Sequence, residues 1–195
     1  MHGRDLALVL LLALLASVSP ASAQDEEEEE EDDTYSRPGV YLLARFSNNV
    51  LLDGGDYSTG ADGALGYVIN RWLAAEVEGD WISGFDSAGG GTRLVGGTYG
   101  LNLKGFVRGG ELQVYGLAGL GATFFHARNT ALAPFDDPQW DMSARLGLGV
   151  NWYVSDEVGL NFGPTFVLPF GANDAVGPEL SYVSVGIGAF LRFGE

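Results

Sequence analysis

Cysteine is absent from the 195 residues, lysine occurs once (Lys104), and histidine occurs only as His2 and His126. Without cysteine there can be no disulfide framework, no thiolate metal site and no lipidated cysteine behind a leader. A lone histidine in the body leaves no His–His spacing for a metal, so neither a metal nor any other cofactor is expected. Lysine and arginine together number 10 against 26 acids. That balance excludes the basic patch a nucleic-acid binder needs. No apolar run reaches the ~20 residues a helix needs to cross a bilayer.

The longest apolar run is Leu6–Ala16, preceded by Arg4 and followed by Ser19-Pro20 and Ala21-Ser22-Ala23. A basic start, a short apolar stretch and a small-x-small site form an export leader, so residues 1–23 are expected to be a signal peptide cleaved before Gln24. Asp25–Asp33 (DEEEEEEDD) supplies nine acids, taking the formal charge of −16 to −7 when set aside. Such a block is expected to be a solvated, disordered tether, the alternative being a tail that binds divalent cations or a partner. Residues 24–37 are therefore assigned to an acidic linker and 38–195 to one folded domain.

The composition of that domain is at odds with a soluble surface. Hydrophobic residues make up 46% of the chain and glycine 30 positions, yet little charge is available to cover an exterior. A β-barrel whose apolar face lies in lipid removes the conflict. Short two-periodic runs recur at Val40–Phe46, Gly63–Ile69, Trp72–Trp81, Thr92–Phe106, Glu111–Phe125, Trp140–Val154, Glu157–Phe170 and Leu180–Phe193. Tight turns at Asn70-Arg71, Arg108–Gly110 and Ser155-Asp156 alternate with long connections at Ser47–Gly60, Ser83–Gly91, His126–Gln139 and Gly171–Glu179. The fold expected is all-β, an eight-stranded antiparallel up-and-down transmembrane barrel, with short periplasmic turns and longer external loops.

Two-residue periodicity assigns the faces. In Trp72–Trp81, Leu73, Ala75, Val77 and Trp81 oppose Ala74, Glu76, Glu78 and Asp80. In Trp140–Val154, Met142, Leu146, Leu148 and Val150 oppose Asp141, Ser143, Arg145 and Asn151. In the last run, Val183, Val185, Ile187 and Leu191 oppose Tyr182, Ser184, Gly186 and Gly188. A secreted lipocalin-like barrel would alternate in the same way with its apolar face inward. Polar faces this rich in glycine and this poor in charge would not solvate its exterior. Aromatics near the run ends (Tyr41, Tyr67, Trp72, Phe106, Trp152, Tyr153 and Phe193 on the turn side, Phe46, Trp81, Phe124, Trp140 and Phe166 on the loop side) are expected to form interfacial girdles.

The inward faces place Arg45, Arg145, Glu76 and Glu78 at similar heights, and Lys104 is expected to pair with Glu111 across a turn. Charges inside so narrow a barrel are costly unless paired, which points to an ion-pair network closing the lumen. The alternative is a water-filled lumen with each charge solvated separately, a small porin-like channel for ions or small solutes. His126 with Ser143, Asp136, Asp137 and Asp141 is the one grouping that could serve a lipid A-modifying enzyme, but HARNT carries no motif of that chemistry, and no catalytic residue is assigned. The loop acids Asp53, Asp56, Asp86, Asp136, Asp137 and Asp174 could bridge divalent cations at a lipopolysaccharide surface, or simply be solvated.

GYVINRWLAAEVEGDW, VYGLAGLGATFF, SARLGLGVNWYVSDEVGLNFGPTFVLP and the closing SVGIGAFLRF resemble, in order and spacing, the OmpA-like, OmpX-like and opacity-type small outer-membrane barrels. The resemblance covers Val40 to Phe193. It implies location in the cell outer membrane, contact with its lipid and lipopolysaccharide, and a lumen closed by ion pairs. It also implies recognition of the last strand by the barrel-assembly machinery, with Gly188, Leu191 and Phe193 in register. Gly194-Glu195 after the aromatic and Gly186 at a usually polar position depart from that signal. The expected role is non-enzymatic: structural, or surface-interacting in the manner of an adhesin, with a partner the loops do not name.

Overall fold

The computed structural model describes residues 35, 37–86, 92–107, 110–129, 138–170 and 180–193. The expected signal peptide and the acidic tract Asp25–Asp33 lie outside them, as do most of the last three long connections. The compact unit that holds the described residues is Asp33–Glu195.

Eight strands form one closed barrel in chain order: β1 Gly39–Leu51, β2 Tyr57–Asn70, β3 Leu73–Asp86, β4 Thr92–Val107, β5 Leu112–Asn129, β6 Gln139–Tyr153, β7 Val158–Pro169 and β8 Tyr182–Phe193. Every neighbouring pair is antiparallel, and β1 closes on β8 from Val40↔Phe193 to Leu51↔Tyr182. Closure leaves no strand edge, as a bilayer requires when it offers no water to unpaired backbone groups. Gly188 sits at this seam, where an added Cβ would lie 2.6 Å from Arg45 Cα, so only glycine lets the two strands meet there.

Burial alternates residue by residue along β1, but with the usual polarity reversed. Arg45, Ser47 and Asn49 are buried, while Leu42 is 48% and Phe46 79% exposed. The same inversion holds for Glu76, Glu78 and Asn102 against Val77, Leu101 and Leu103. A sheet that exposes leucine and buries glutamate is stable when its outer solvent is hydrocarbon. This excludes the lipocalin-like arrangement, in which the apolar face turns inward.

Three expectations are corrected. The first long connection is not Ser47–Gly60: β1 and β2 run on through Ser47↔Gly60 and Asn49↔Ser58, leaving only 52–56 as a turn. Likewise β3 extends through Asp86 and β5 through Asn129. In β1 and β2, polar side chains pointing into the lumen (Ser47, Asn49, Ser58) make the strand ends look like loop in sequence. The girdle is also thinner than expected, because Tyr41, Phe106 and Tyr153 are buried. They share the inward parity of Leu43, Lys104 and Asn151. On the outer face, Phe124 is covered by Trp140 (ring centroids 4.8 Å), Tyr99 (6.0 Å) and Trp81 (6.4 Å) near the loop ends of β3–β6.

A register shift between Ile82 and Phe85 marks a bulge, where Gly84 takes φ 129° and its N–H donates to Ser58 Oγ at 3.0 Å. The extra residue changes the parity of β3, so that Ile82 and Phe85 both point into the barrel.

Candidate functional site

The lumen is filled in three layers. At the turn end Tyr41, Leu43, Phe106, Tyr115, Tyr153 and Phe190 pack with Val68 and Leu117 into one apolar cluster. Several of these rings rest on glycines of the neighbouring wall: Tyr41 on Gly66, Tyr115 on Gly149 and Phe190 on Gly159, positions where a Cβ would collide with the ring. Inward glycines are thus the sockets for inward aromatics. Tyr35 closes this end. Its ring lies 4.7 Å from that of Tyr153, and its carbonyl accepts from Arg192 Nη1 (2.6 Å) and Gln113 Nε2 (3.2 Å). Arg192 Nη2 also donates to the carbonyl of Arg37.

At the loop end Leu51, Ile82, Phe85, Phe125, Val167 and Tyr182 form a second apolar cluster. Phe85 reaches it because of the bulge and lies 6.2 Å from Tyr182 and 6.4 Å from Phe125.

Between the two clusters lies the charged layer. Arg45 Nε bonds Asp62 Oδ1 at 2.5 Å, its direct partner across the β1–β2 ladder. Arg45 Nη2 and Arg145 Nη2 both donate to Glu78 Oε1, at 2.9 and 2.7 Å. Asn102 Nδ2 donates to the other oxygen, Oε2, at 2.6 Å. Arg145 Nη1 lies 3.3 Å from Asp80 Oδ2. Asp80 Oδ1 accepts from the backbone N–H of Thr98 (2.9 Å) and from Tyr182 OH (3.3 Å), which ties the layer to the loop-end cluster. Toward the turns, Glu76 Oε2 takes Lys104 Nζ at 2.8 Å and Tyr41 OH at 2.7 Å. Lys104 Nζ also sits 4.5 Å from the Tyr115 ring centroid, a cation–π contact out of water. Arg45 Nη1 donates to Asn161 Oδ1 (3.1 Å), whose amide donates in turn to Tyr115 OH (3.0 Å) and Asn151 Oδ1 (2.7 Å).

Of the six residues expected in this network, Arg45, Glu76, Glu78, Arg145 and Lys104 converge. Glu111 does not. Lys104 stands opposite Leu117 in the β4–β5 ladder, well away from Glu111, which is exposed before the first residue of β5. Lys104 pairs with Glu76 of the adjoining strand instead. Asp62, Asp80, Asn102 and Asn161 complete the network without having been expected in it. Asp80 and Asn161 are read inward by the same alternation. Asp62 follows from the parity of Ala64 and Gly66 once β2 is extended past Gly63.

Leu191 and Phe193 face outward on β8, whereas Gly188 faces inward at the seam. His126 lies on the outer face, edge-on to Phe124 at 5.8 Å, while Asp141 and Ser143 point into the lumen. The barrel wall therefore separates the members of the one enzyme-like grouping that the described residues could supply. Asp136, Asp137 and Asp174 lie outside the described residues. Among those described, no group of three histidines or acids is placed to hold a metal ion.

The model of the outer membrane protein beta-barrel domain family matches residues 8–193. No curated protein matches the chain. Among solved structures it is similar to the neisserial surface protein A (TM-score 0.67, 16% identity, 80% of this chain and 97% of that one). It is similar also to the outer membrane protein OprG of Pseudomonas aeruginosa (0.61, 13%, 84% and 99%). A third is Ail, the attachment invasion locus protein of Yersinia pestis, solved with the heparin analogue sucrose octasulfate (0.56, 13%, 80% and 99%). At these identities the three structures speak for the fold, and the family model speaks for kinship. The chain belongs to the outer membrane protein β-barrel family and is a protein of the cell outer membrane.

Proposed function

We propose that the chain is a non-enzymatic, non-conducting barrel whose lumen is structural and whose external loops meet other molecules at the cell surface. One observation carries the first half: a buried ion-pair layer enclosed between two apolar layers. A pore needs a continuous polar path, and here the polar layer has aromatic and aliphatic side chains on both sides. The interior energy goes into holding eight walls together, because each charge is stable there only while its partners stay in place.

The second half rests on the loops. The connections 52–56, 87–91, 130–138 and 171–181 contain no lysine or arginine but carry Asp53, Asp56, Asp136, Asp137, Asp174 and Glu179. Such a surface suits a cationic partner, or lipopolysaccharide phosphates bridged by divalent cations, and repels a polyanion. Export by the residue 1–23 leader and insertion through the β8 signal Gly188, Leu191 and Phe193 complete the reading. Cysteine placed at Asp53 or at Ser155, both exposed turn positions, tests the orientation. An impermeant maleimide on whole cells should label the first and spare the second. Equal labelling, or labelling at Ser155 alone, would remove the loops from the cell surface and the proposal with them.

A further inference from the structure

The outer faces of β1–β5 border an open groove of about 920 Å³. Leu65 and Tyr67 line one side and Leu101 and Leu120 the other, and its depth comes from Ala75 and Ala118, short residues among longer ones. The volume lies within the ~300–1,000 Å³ typical of small-molecule sites. An apolar hollow alone would say only that hydrocarbon fills it. The turn below it says more. In the β2–β3 turn the Arg71 guanidinium stands 5.0 Å from the centroid of the Trp72 ring, and both residues are exposed. Among the described residues Arg71 forms no ion pair. Trp72 is about 17 Å along β3 from Val77 in the groove, at ~3.4 Å per residue.

Charge at this end of the barrel is unevenly spread. The β2–β3 turn carries Arg71 and no acid, while Glu111 stands exposed just before β5. The β6–β7 turn on the far side carries Asp156 and Glu157. A lipid headgroup reaching the β2–β3 turn would thus meet a cation with no ion pair among the described residues, directly below the groove, whereas the β6–β7 turn would offer it only acids. Short turns of bacterial barrels face the periplasm, and Trp and Arg at such a boundary favour an anionic headgroup.

We infer that the groove is a site for one anionic glycerophospholipid of the periplasmic leaflet, with acyl chain along Ala75 and Ala118 and headgroup phosphate on Arg71. The site is independent of whether the lumen conducts. It is tested by reconstituting the full barrel with equal amounts of phosphatidylglycerol and phosphatidylcholine and recording native mass spectra after transfer to mild detergent. Wild type should keep one phosphatidylglycerol in preference to phosphatidylcholine. Arg71→Gln should lower that preference about fivefold, the effect of losing one basic residue at a lipid surface. Ala75→Leu, which fills the groove on the lipid side, should lower retention of both lipids. Equal retention of the two lipids by wild type, unchanged preference in Arg71→Gln, or a protein dimer occupying the groove instead would each overturn the assignment.

Discussion

Arg45 of β1 and Arg145 of β6 meet on a single atom, Glu78 Oε1, at 2.9 and 2.7 Å. One carboxylate on β3 therefore joins strands that are far apart around the barrel. Replacing Glu78 with alanine takes the shared acid from two buried guanidinium groups, leaving Arg45 with Asp62 alone and Arg145 with Asp80 alone. The expected loss is about 3–5 kcal/mol, the usual cost of breaking a buried ion pair from one side. Urea unfolding of the refolded protein in lipid vesicles measures it. Glu78→Gln should lose less, because its single amide oxygen can still accept from both arginines in place of Oε1, while its NH2 replaces the acceptor that Asn102 uses.

The observed partner of Lys104 can be distinguished from the one sequence spacing suggested. A double-mutant cycle on Lys104 and Glu76 should give a coupling of about 0.5–3 kcal/mol, as for residues in direct contact. The cycle on Lys104 and Glu111 should close to within about 0.3–0.5 kcal/mol. Coupling of comparable size in both cycles would contradict the geometry described.

That difference shows where the sequence was readable. Strand number, order and facing followed from alternation, which is regular because lipid disfavours polar residues outside and collects the chain's charges inside. Glu76, Glu78, Arg45 and Arg145 could be placed by parity alone. Lys104 could not, because parity gives a face but not a neighbour: its partner depends on how β4 is staggered against β3, where it stands opposite Ala74. Asp62 was hidden by a strand end that reads as loop when its inward residues are polar. Phe85 was hidden by a bulge, whose single extra residue reverses the parity on which the reading depends. Parity turns Tyr41, Phe106 and Tyr153 inward, whereas their position at the strand ends is the one that girdle aromatics occupy, so the two signals conflict there.

The socket relationship between inward rings and inward glycines gives a third test. Gly66→Ala places a methyl group into the Tyr41 ring and should destabilise the barrel by about 1–3 kcal/mol, the ordinary cost of overpacking a filled core. Combining it with Tyr41→Leu should recover part of that loss, since the smaller side chain leaves the socket. Urea unfolding midpoints of the single and double variants provide the comparison, and additive losses would mean that the ring does not sit on Gly66.

The central claim is that a sealed ion-pair layer closes the lumen, and current through single molecules tests it most directly. Wild-type protein refolded and inserted into a planar lipid bilayer should show no steady channel, and Glu78→Ala should at most produce brief, irregular openings as the freed arginines rearrange. A stable, stepwise conductance from wild type, left unchanged by Glu78→Ala, would contradict the account and replace the closed barrel with a small porin.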